Sequence, residues 1–481
     1  MQHWFYGQPN TEPETWVDPA TGIQWAYFTA SGGATICGAE NVSGELILPS
    51  TINGLRVTAI GESAFEGCIG LTAVIIPDGV TAIGASAFLG CVNLTSVTIP
   101  DSVKRIGCSA FTDCSGLQSV VIPDGVTEVP GGVFIRCTGL TSVTLPASVT
   151  AIWSGAFYGC TALTAVTIPE RVTIIGERAF EGCSGLTSII IPDGVTTIAS
   201  DAFRGCKSLT SAMLPNSVTA LGSCVFEGCC NLRTVTLPAS VRCIGFGVFT
   251  GCGAVFVEGG NCDCRSTPEG VLLSADGDEL IHVPISMVAY TIPEGVTTIR
   301  EFSFYGCANL TAVTIPACVR RIGPGAFEGC TNLTSVHIPD GVTQICGGVF
   351  SGCANLTSVR IPDGVTLIAT DAFKGCTNLA SVNIPDGVTE IGDCAFQDCT
   401  NLTSVRIPEG VTRIEACTFS GCTGLTSHII PEKVEEIESG AFGNCAQLQH
   451  APILNKSCEI DPLAFEGSPT EIVFGPPRPI S

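Results

Sequence analysis

Phenylalanine returns along this chain on a fixed beat. Phe65, Phe88, Phe111 and so on to Phe249 follow one another in steps of 23 residues, and Phe304 to Phe465 repeat the same step. The interval from Phe249 to Phe304 is 55, two periods plus nine residues. Other positions keep the same count. After Phe88 come Leu94, Val97, Ile99, Pro100, Val103, Ile106 and Ala110, and then Phe111. One such repeat cannot fold alone. Burying its apolar side chains is worth roughly 1.5–3 kcal/mol each, whereas fixing the backbone costs roughly 1–2 kcal/mol for every residue. Stacked neighbours share apolar faces and strand hydrogen bonds, which makes the sum favourable. A strict period of this length therefore implies a solenoid.

Within the repeat, L-x-x-V-x-I ends on the period-two spacing of a strand. Pro-Asp-Gly or Pro-Asp-Ser stops it, because proline donates no backbone hydrogen bond and presets a turn. A second short β-branched segment follows, V-x-x-I-G. The remaining A-F-x-G-C-x-x-L closes the coil by a turn or a short 3₁₀ piece. These motifs, L-x-x-V-x-I-P followed by V-x-x-I-G-x-x-A-F-x-G-C, resemble the BspA-like (Treponema pallidum-type) leucine-rich repeat. The match covers residues 55 to 468 apart from one interruption. The resemblance implies a mostly β, right-handed leucine-rich-repeat solenoid. A parallel sheet would lie on one face, with short second strands opposite and a β-hairpin cap and interruption. It also implies an exported or surface-exposed protein acting in adhesion or binding rather than catalysis.

In chain order, residues 1–22 hold no register and are expected to be an N-terminal extension or loose strap. Residues 23–60, with IQWAYFTA and GELILPSTINGLRVTAI, read as a capping hairpin for the first coil's apolar end. A first array runs over 61–252. The register breaks in 253–291, where GVLLSADGDELIHVP has the pattern of a hairpin around Asp-Gly-Asp. A second array runs over 292–468, and 469–481 reads as a final capping strand with a proline-rich end.

Charge and hydropathy exclude several roles. The net charge of −23 argues against a nucleic-acid partner, which needs a basic groove, and against anionic membrane surfaces. No run of 18 apolar residues predicts a membrane-spanning helix. The start, MQHWFYGQPNTEPETW, has neither the basic nor the apolar region of a signal peptide. Either the protein is cytoplasmic or the chain is a mature form whose leader has been removed; the resemblance favours the second, with an extracellular or cell-surface location.

Cysteine is abundant, at 28 residues. Sixteen stand three residues after a repeat phenylalanine, from Cys68 to Cys252 and from Cys307 to Cys445, with Ser468 in that slot of the last repeat. A disulfide framework is one reading, but side chains stacked in a translational ladder point in parallel, and a buried column of free thiols acting as small hydrophobes fits better. Of the other twelve, Cys394 and Cys417 sit two residues before a phenylalanine in adjacent repeats and are the best candidates for an inter-repeat pair. Cys262-Asp263-Cys264 offers a metal or redox site, yet it has no second ligand pair at zinc-like spacing, and loop cysteines are the simpler reading.

No catalytic signature stands out. The histidines are scattered, and no G-x-S-x-G elbow, Walker loop or glycine fingerprint opens a helix. The glycines punctuate the repeat. No enzyme activity, cofactor or metal is expected. An acidic column follows the repeat prolines, among them Asp78, Asp340, Asp363, Asp386 and Glu409. Calcium between stacked carboxylates is conceivable; good turn chemistry with solvent screening is simpler. Function is best sought where the period leaves residues free. Ten residues after the phenylalanine, the outward strand position holds bland residues in the first array. In four consecutive repeats of the second it holds His337, Arg360, Asn383 and Arg406. This predicts a polar stripe on the sheet's outer face with about 5 Å between coils, either a ligand patch or drift of solvent-facing positions. The function expected is that of a non-enzymatic surface or secreted protein. It would bind a protein or glycan, such as a host extracellular or mucosal component, through the sheet face, as a monomer and without membrane insertion. The alternative is a purely structural rigid spacer or coat module.

Overall fold

The computed structural model describes residues 12–30, 32–257, 264–426 and 429–475. The described chain falls into two compact units. One runs up to Cys252 and takes in Val257; the other comprises Gly253–Phe256 and the residues from Cys264 on. Both are mostly β, and no helix is assigned among the described residues.

Each coil follows the repeat. In the coil after Phe88 the long-strand face carries Ser96–Thr98 and the short-strand face carries Arg105–Ile106. Between them the Val103 amide donates to the Pro100 carbonyl at 3.0 Å, closing the proline turn. The corner after the phenylalanine is a run of turns: the Cys91 amide donates to Phe88 O at 3.2 Å and the Leu94 amide to Cys91 O at 3.0 Å. Coils pair in parallel with no slip, Ser119 facing Ser142 and Val120 facing Val143, for example. On the opposite face Ile152 pairs with Ile175 and Ile175 with Ile198. Identical spacing puts identical residue types in one column, so each column is either core or surface throughout.

The core is built from those columns. The phenylalanine rings stack face to face, with centroids 5.1–6.2 Å apart from Phe65 to Phe249. From Phe304 to Phe465 the spacing is 4.6–5.6 Å. The cysteine column runs beside them as free, mostly buried thiols. Each sulfur from Cys91 onward in the first unit donates to the carbonyl of the phenylalanine 26 residues earlier, as Cys91 does to Phe65 O at 3.1 Å and Cys137 to Phe111 O at 3.1 Å. Burial pushes the Cys91 and Cys160 thiols up to about 12, so these two stay protonated and inert.

The first unit opens with an antiparallel hairpin. Gln24–Ala30 pairs with Gly33–Ala39, and Gly33–Ala39 in turn pairs in parallel with Leu55–Ile60. Trp25 and Tyr27 are buried beneath it, and the Trp25 ring meets Phe65 edge-on at 6.5 Å, covering the end of the ring stack. Residues 12–22 are not a loose strap: Glu14–Val17 adds a further antiparallel strand to Gln24–Ala30, and the Tyr27 hydroxyl donates to Glu14 at 2.9 Å. Residues 1–11 of the expected extension lie outside the described residues.

In the second unit the hairpin read from GVLLSADGDELIHVP is present. Leu272–Ser274 pairs antiparallel with Glu279–His282, and Glu279–His282 pairs in parallel with Thr298–Ile299. The hairpin thereby starts the short-strand face. Cys264 does not sit in a loop; it is buried in the strand Cys264–Ser266, which pairs with Leu272–Ser274. Cys262 and Asp263 lie outside the described residues. Glu471–Phe474 pairs in parallel with His450–Ile453, a final strand on the long-strand face. The proline-rich end beyond residue 475 lies outside the described residues.

Candidate functional site

The four residues picked out by the free strand position come together in the second unit. His337 pairs in register with Arg360, and a further bridge joins Arg360 to Asn383. Ser381 pairs with Ser404 in the next two coils, which sets Arg406 beside Asn383. All four are exposed, while the valines that alternate with them point inward and are buried.

The stripe and the acidic column, separate in sequence, meet in space at two ion pairs. Arg360 Nη1 donates to Asp340 at 2.9 Å, and Arg406 Nη1 donates to Asp386 at 2.5 Å. In both cases the arginine reaches the carboxylate 20 residues earlier, one coil back. The side chains stay open to water, 53% and 78% exposed in the first pair and 63% and 79% in the second. Such pairs are worth about 0–1 kcal/mol to folding, so stability does not explain them. The same offset from Asn383 reaches Asp363, which makes no ion pair among the described residues; from His337 it reaches Ala317, so His337 has no carboxylate in that place. The stripe is thus not a basic strip. It alternates paired arginines with an uncharged amide and an imidazole.

Two features were not read from the sequence. The first is an amide ladder along the same coils. Asn355 donates to Asn332 at 3.1 Å, Asn378 to Asn355 at 3.0 Å, and Asn401 to Asn378 at 3.1 Å. Its signal was the asparagine just before the leucine of successive repeats. The second is an acidic cluster on the short-strand face. Arg413 pairs with Glu436, and Glu436 with Glu459, as strand neighbours. Arg413 lies 3.3 Å from Glu415 and 3.4 Å from Glu436, and also contacts Glu438. Burial raises the Glu415 carboxyl above its usual range against the pull of Arg413, with Asp393 adding to the rise. The signal for this column is the residue before the isoleucine of the short strand, which is Arg413, Glu436 and Glu459 in successive repeats.

Among the described residues two groups of three could present ligand atoms to one ion, Asp201 with Cys224 and Glu227, and Asp393 with Glu415 and Glu438. Both already hold a cation. Arg204 lies 3.3 Å from Asp201 and 2.8 Å from Glu227, and Arg413 occupies the second group. Neither group includes a carboxylate of the column after the prolines.

In the first unit the same outward column is apolar in places. Ile190 and Met213 face each other across neighbouring strands and are 83% and 73% exposed. No helix among the described residues is long and apolar enough to cross a membrane.

Comparison with known proteins agrees with this architecture. The family model described as BspA type leucine-rich repeat region (6 copies) matches residues 45–164, 132–255, 285–376 and 347–471. The chain is similar to the crystal structure of a leucine-rich cell surface protein from Faecalibacterium prausnitzii A2-165. The two are 30% identical, with 87% of this chain and 95% of that chain covered and a TM-score of 0.54. It also matches a leucine-rich repeat protein from Bacteroides ovatus at 25% identity, covering 98% of this chain and 100% of that chain, with a TM-score of 0.45. A third match is the T. pallidum leucine-rich repeat protein, at 27% identity, covering 51% of this chain and 89% of that chain, with a TM-score of 0.30. No curated protein matches. With the family's repeat matched over more than half its length and its columns stacked as that repeat requires, the chain belongs to the BspA-type leucine-rich repeat family.

Proposed function

We propose that this is a non-enzymatic leucine-rich repeat protein, displayed at a cell surface or secreted, that binds a protein or glycan ligand through the long-strand face of its second unit. The observation that carries the reading is the exposed, in-register row His337, Arg360, Asn383 and Arg406. A flat parallel sheet holds these side chains at fixed spacing, so a ligand meets a preorganised surface. Each arginine uses one nitrogen on its aspartate, which steadies the guanidinium and leaves its other donors facing out. Similarity to a protein described as a cell surface protein supports the location.

A second reading, a rigid spacer with no specific ligand, is favoured by the pairing itself: Arg360 and Arg406 find their counter-charges within the chain. Binding separates the two. The full chain is tested on an array of neutral and acidic glycans and against immobilised mucin and matrix proteins, beside the double variant Arg360→Ser/Arg406→Ser. A ligand face predicts at least a tenfold loss of affinity, about 1.4 kcal/mol. Equal binding by the variant, or no binding by either protein, overturns the assignment of this face and leaves the spacer.

A further inference from the structure

Sixteen cysteines belong to the ladder, and among the remaining twelve a single pair, Cys394 and Cys417, is separated by one 23-residue period. These two therefore occupy the same place in adjacent coils. Both precede their phenylalanine by two residues and both adopt the left-handed backbone, at φ 54° each. Backbone bonds confirm the stacking: the Cys394 amide donates to Ala416 O at 2.9 Å, and the Cys417 amide to Ser439 O at 3.1 Å. The Phe396 and Phe419 rings next to them are 5.6 Å apart.

Their surroundings differ from those of the ladder. Ladder sulfurs in these coils are buried and donate to phenylalanine carbonyls at 3.2 Å, as Cys399 and Cys422 do. Cys394 and Cys417 are only partly buried. The Cys417 sulfur has a loose contact with Ser439 O at 3.9 Å. It leans toward the following coil, where Gly440 leaves a space: a Cβ there would stand 3.0 Å from the sulfur. Cys394, one coil earlier in the same conformation, has Cys417 in the place where Cys417 has Gly440.

We propose that Cys394 and Cys417 are a redox-sensitive pair that closes into an intramolecular disulfide when the protein meets a small-molecule disulfide oxidant. One thiolate attacks the oxidant's sulfur, its S–S bond breaks, and one small thiol leaves with a proton. The second cysteine then attacks the mixed disulfide, and the second small thiol leaves with its proton. Two protein thiols are oxidised, one small disulfide is reduced to two thiols, and atoms and electrons balance. Adjacent coils place Cα atoms about 5 Å apart, within the bridging range of about 4.4–6.8 Å. Parallel side chains must tilt their Cβ atoms together by roughly 1 Å, so the bond is strained and readily reduced. It is a switchable clip between coils rather than part of a permanent framework.

The test uses the reduced full chain, incubated with glutathione disulfide, quenched in acid, alkylated and cut with trypsin. Cleavage after Lys374, Arg406, Arg413 and Lys433 puts the two cysteines in separate peptides, 375–406 and 414–433. The expected product is these peptides joined through Cys394 and Cys417, lost on mild reduction and absent from Cys394→Ser and Cys417→Ser. In each variant the remaining cysteine should carry glutathione instead. Protection of ladder thiols from alkylation before unfolding reports that the variants fold, and alanine replaces serine if it does not. Separate glutathione adducts on both cysteines of the native chain, two unmodified thiols, or a linked product that survives in both variants would each overturn the proposal.

Discussion

Ser468 stands where sixteen other repeats carry cysteine, and it does what fourteen of those cysteines do: its hydroxyl donates to Phe442 O at 2.6 Å, 26 residues earlier. The column therefore requires a small donor aimed at that carbonyl, and sulfur is one way to supply it. Cys376 donates to Phe350 O at 3.2 Å and is fully buried. Cys376→Ser should keep the bond, whereas Cys376→Ala leaves the carbonyl without this donor. We expect alanine to be the more destabilising by about 1 kcal/mol in urea unfolding; the reverse order would show that apolar bulk alone matters. His282 offers a second expectation at this scale. Its ring is buried and Nε2 donates to Gly253 O at 2.7 Å. Burial lowers its pKa from 6.5 to about 4, with the carbonyl bond opposing. The unfolded chain thus takes up a proton first as pH falls. Stability from this group is complete above pH 6.5, declines between 6.5 and about 4, and is flat below. The loss amounts to about 3 kcal/mol. His282→Gln should remove that part of the slope in a pH series of denaturation midpoints, and an unchanged slope would assign it to the carboxylates.

At the scale of the element, the coil is a unit that neighbours complete. Phe373 is fully buried between Phe350 at 5.5 Å and Phe396 at 5.2 Å. Phe373→Ala removes both stacking partners' shared surface and should destabilise by about 3–5 kcal/mol. Because each coil touches mainly its neighbours, the damage should fade with distance. Amide hydrogen exchange should accelerate most around residues 350–396 and less with each coil beyond; uniform acceleration through the second unit would mean that it unfolds as one block. These elements were legible in the sequence because the period aligns residues of like burial: the Phe, Cys, Leu and Val columns needed no coordinates. What the period hid was contact between columns. Arg360 and Asp340 were each noted, but in different columns, and their offset of 20 residues has no signature in a 23-residue register. Cys264 and Glu14–Val17 lie outside the repeat, where short strands carry little pattern of their own.

At the scale of the whole molecule, charge constrains which ligand the proposed face can take. The chain carries 44 acidic against 21 basic residues. On the stripe itself Arg360 and Arg406 are already opposed by Asp340 and Asp386, with Asp363 and Glu409 nearby in the same column. A polyanion approaching this surface meets local near-neutrality within a repulsive overall field. That field reaches about 30 Å at 0.01 M salt and about 8 Å at 0.15 M. Binding of a neutral glycan should then change little with salt, binding of a protein with a basic surface should weaken as salt rises, and an acidic glycan should be held least at low salt. Retention of the full chain on neutral, acidic and basic surfaces, at these two salt concentrations, distinguishes the cases. Strong capture by the acidic glycan at 0.01 M, lost in Arg360→Ser/Arg406→Ser, would mean that two guanidinium groups at short range outweigh the charge of the entire chain.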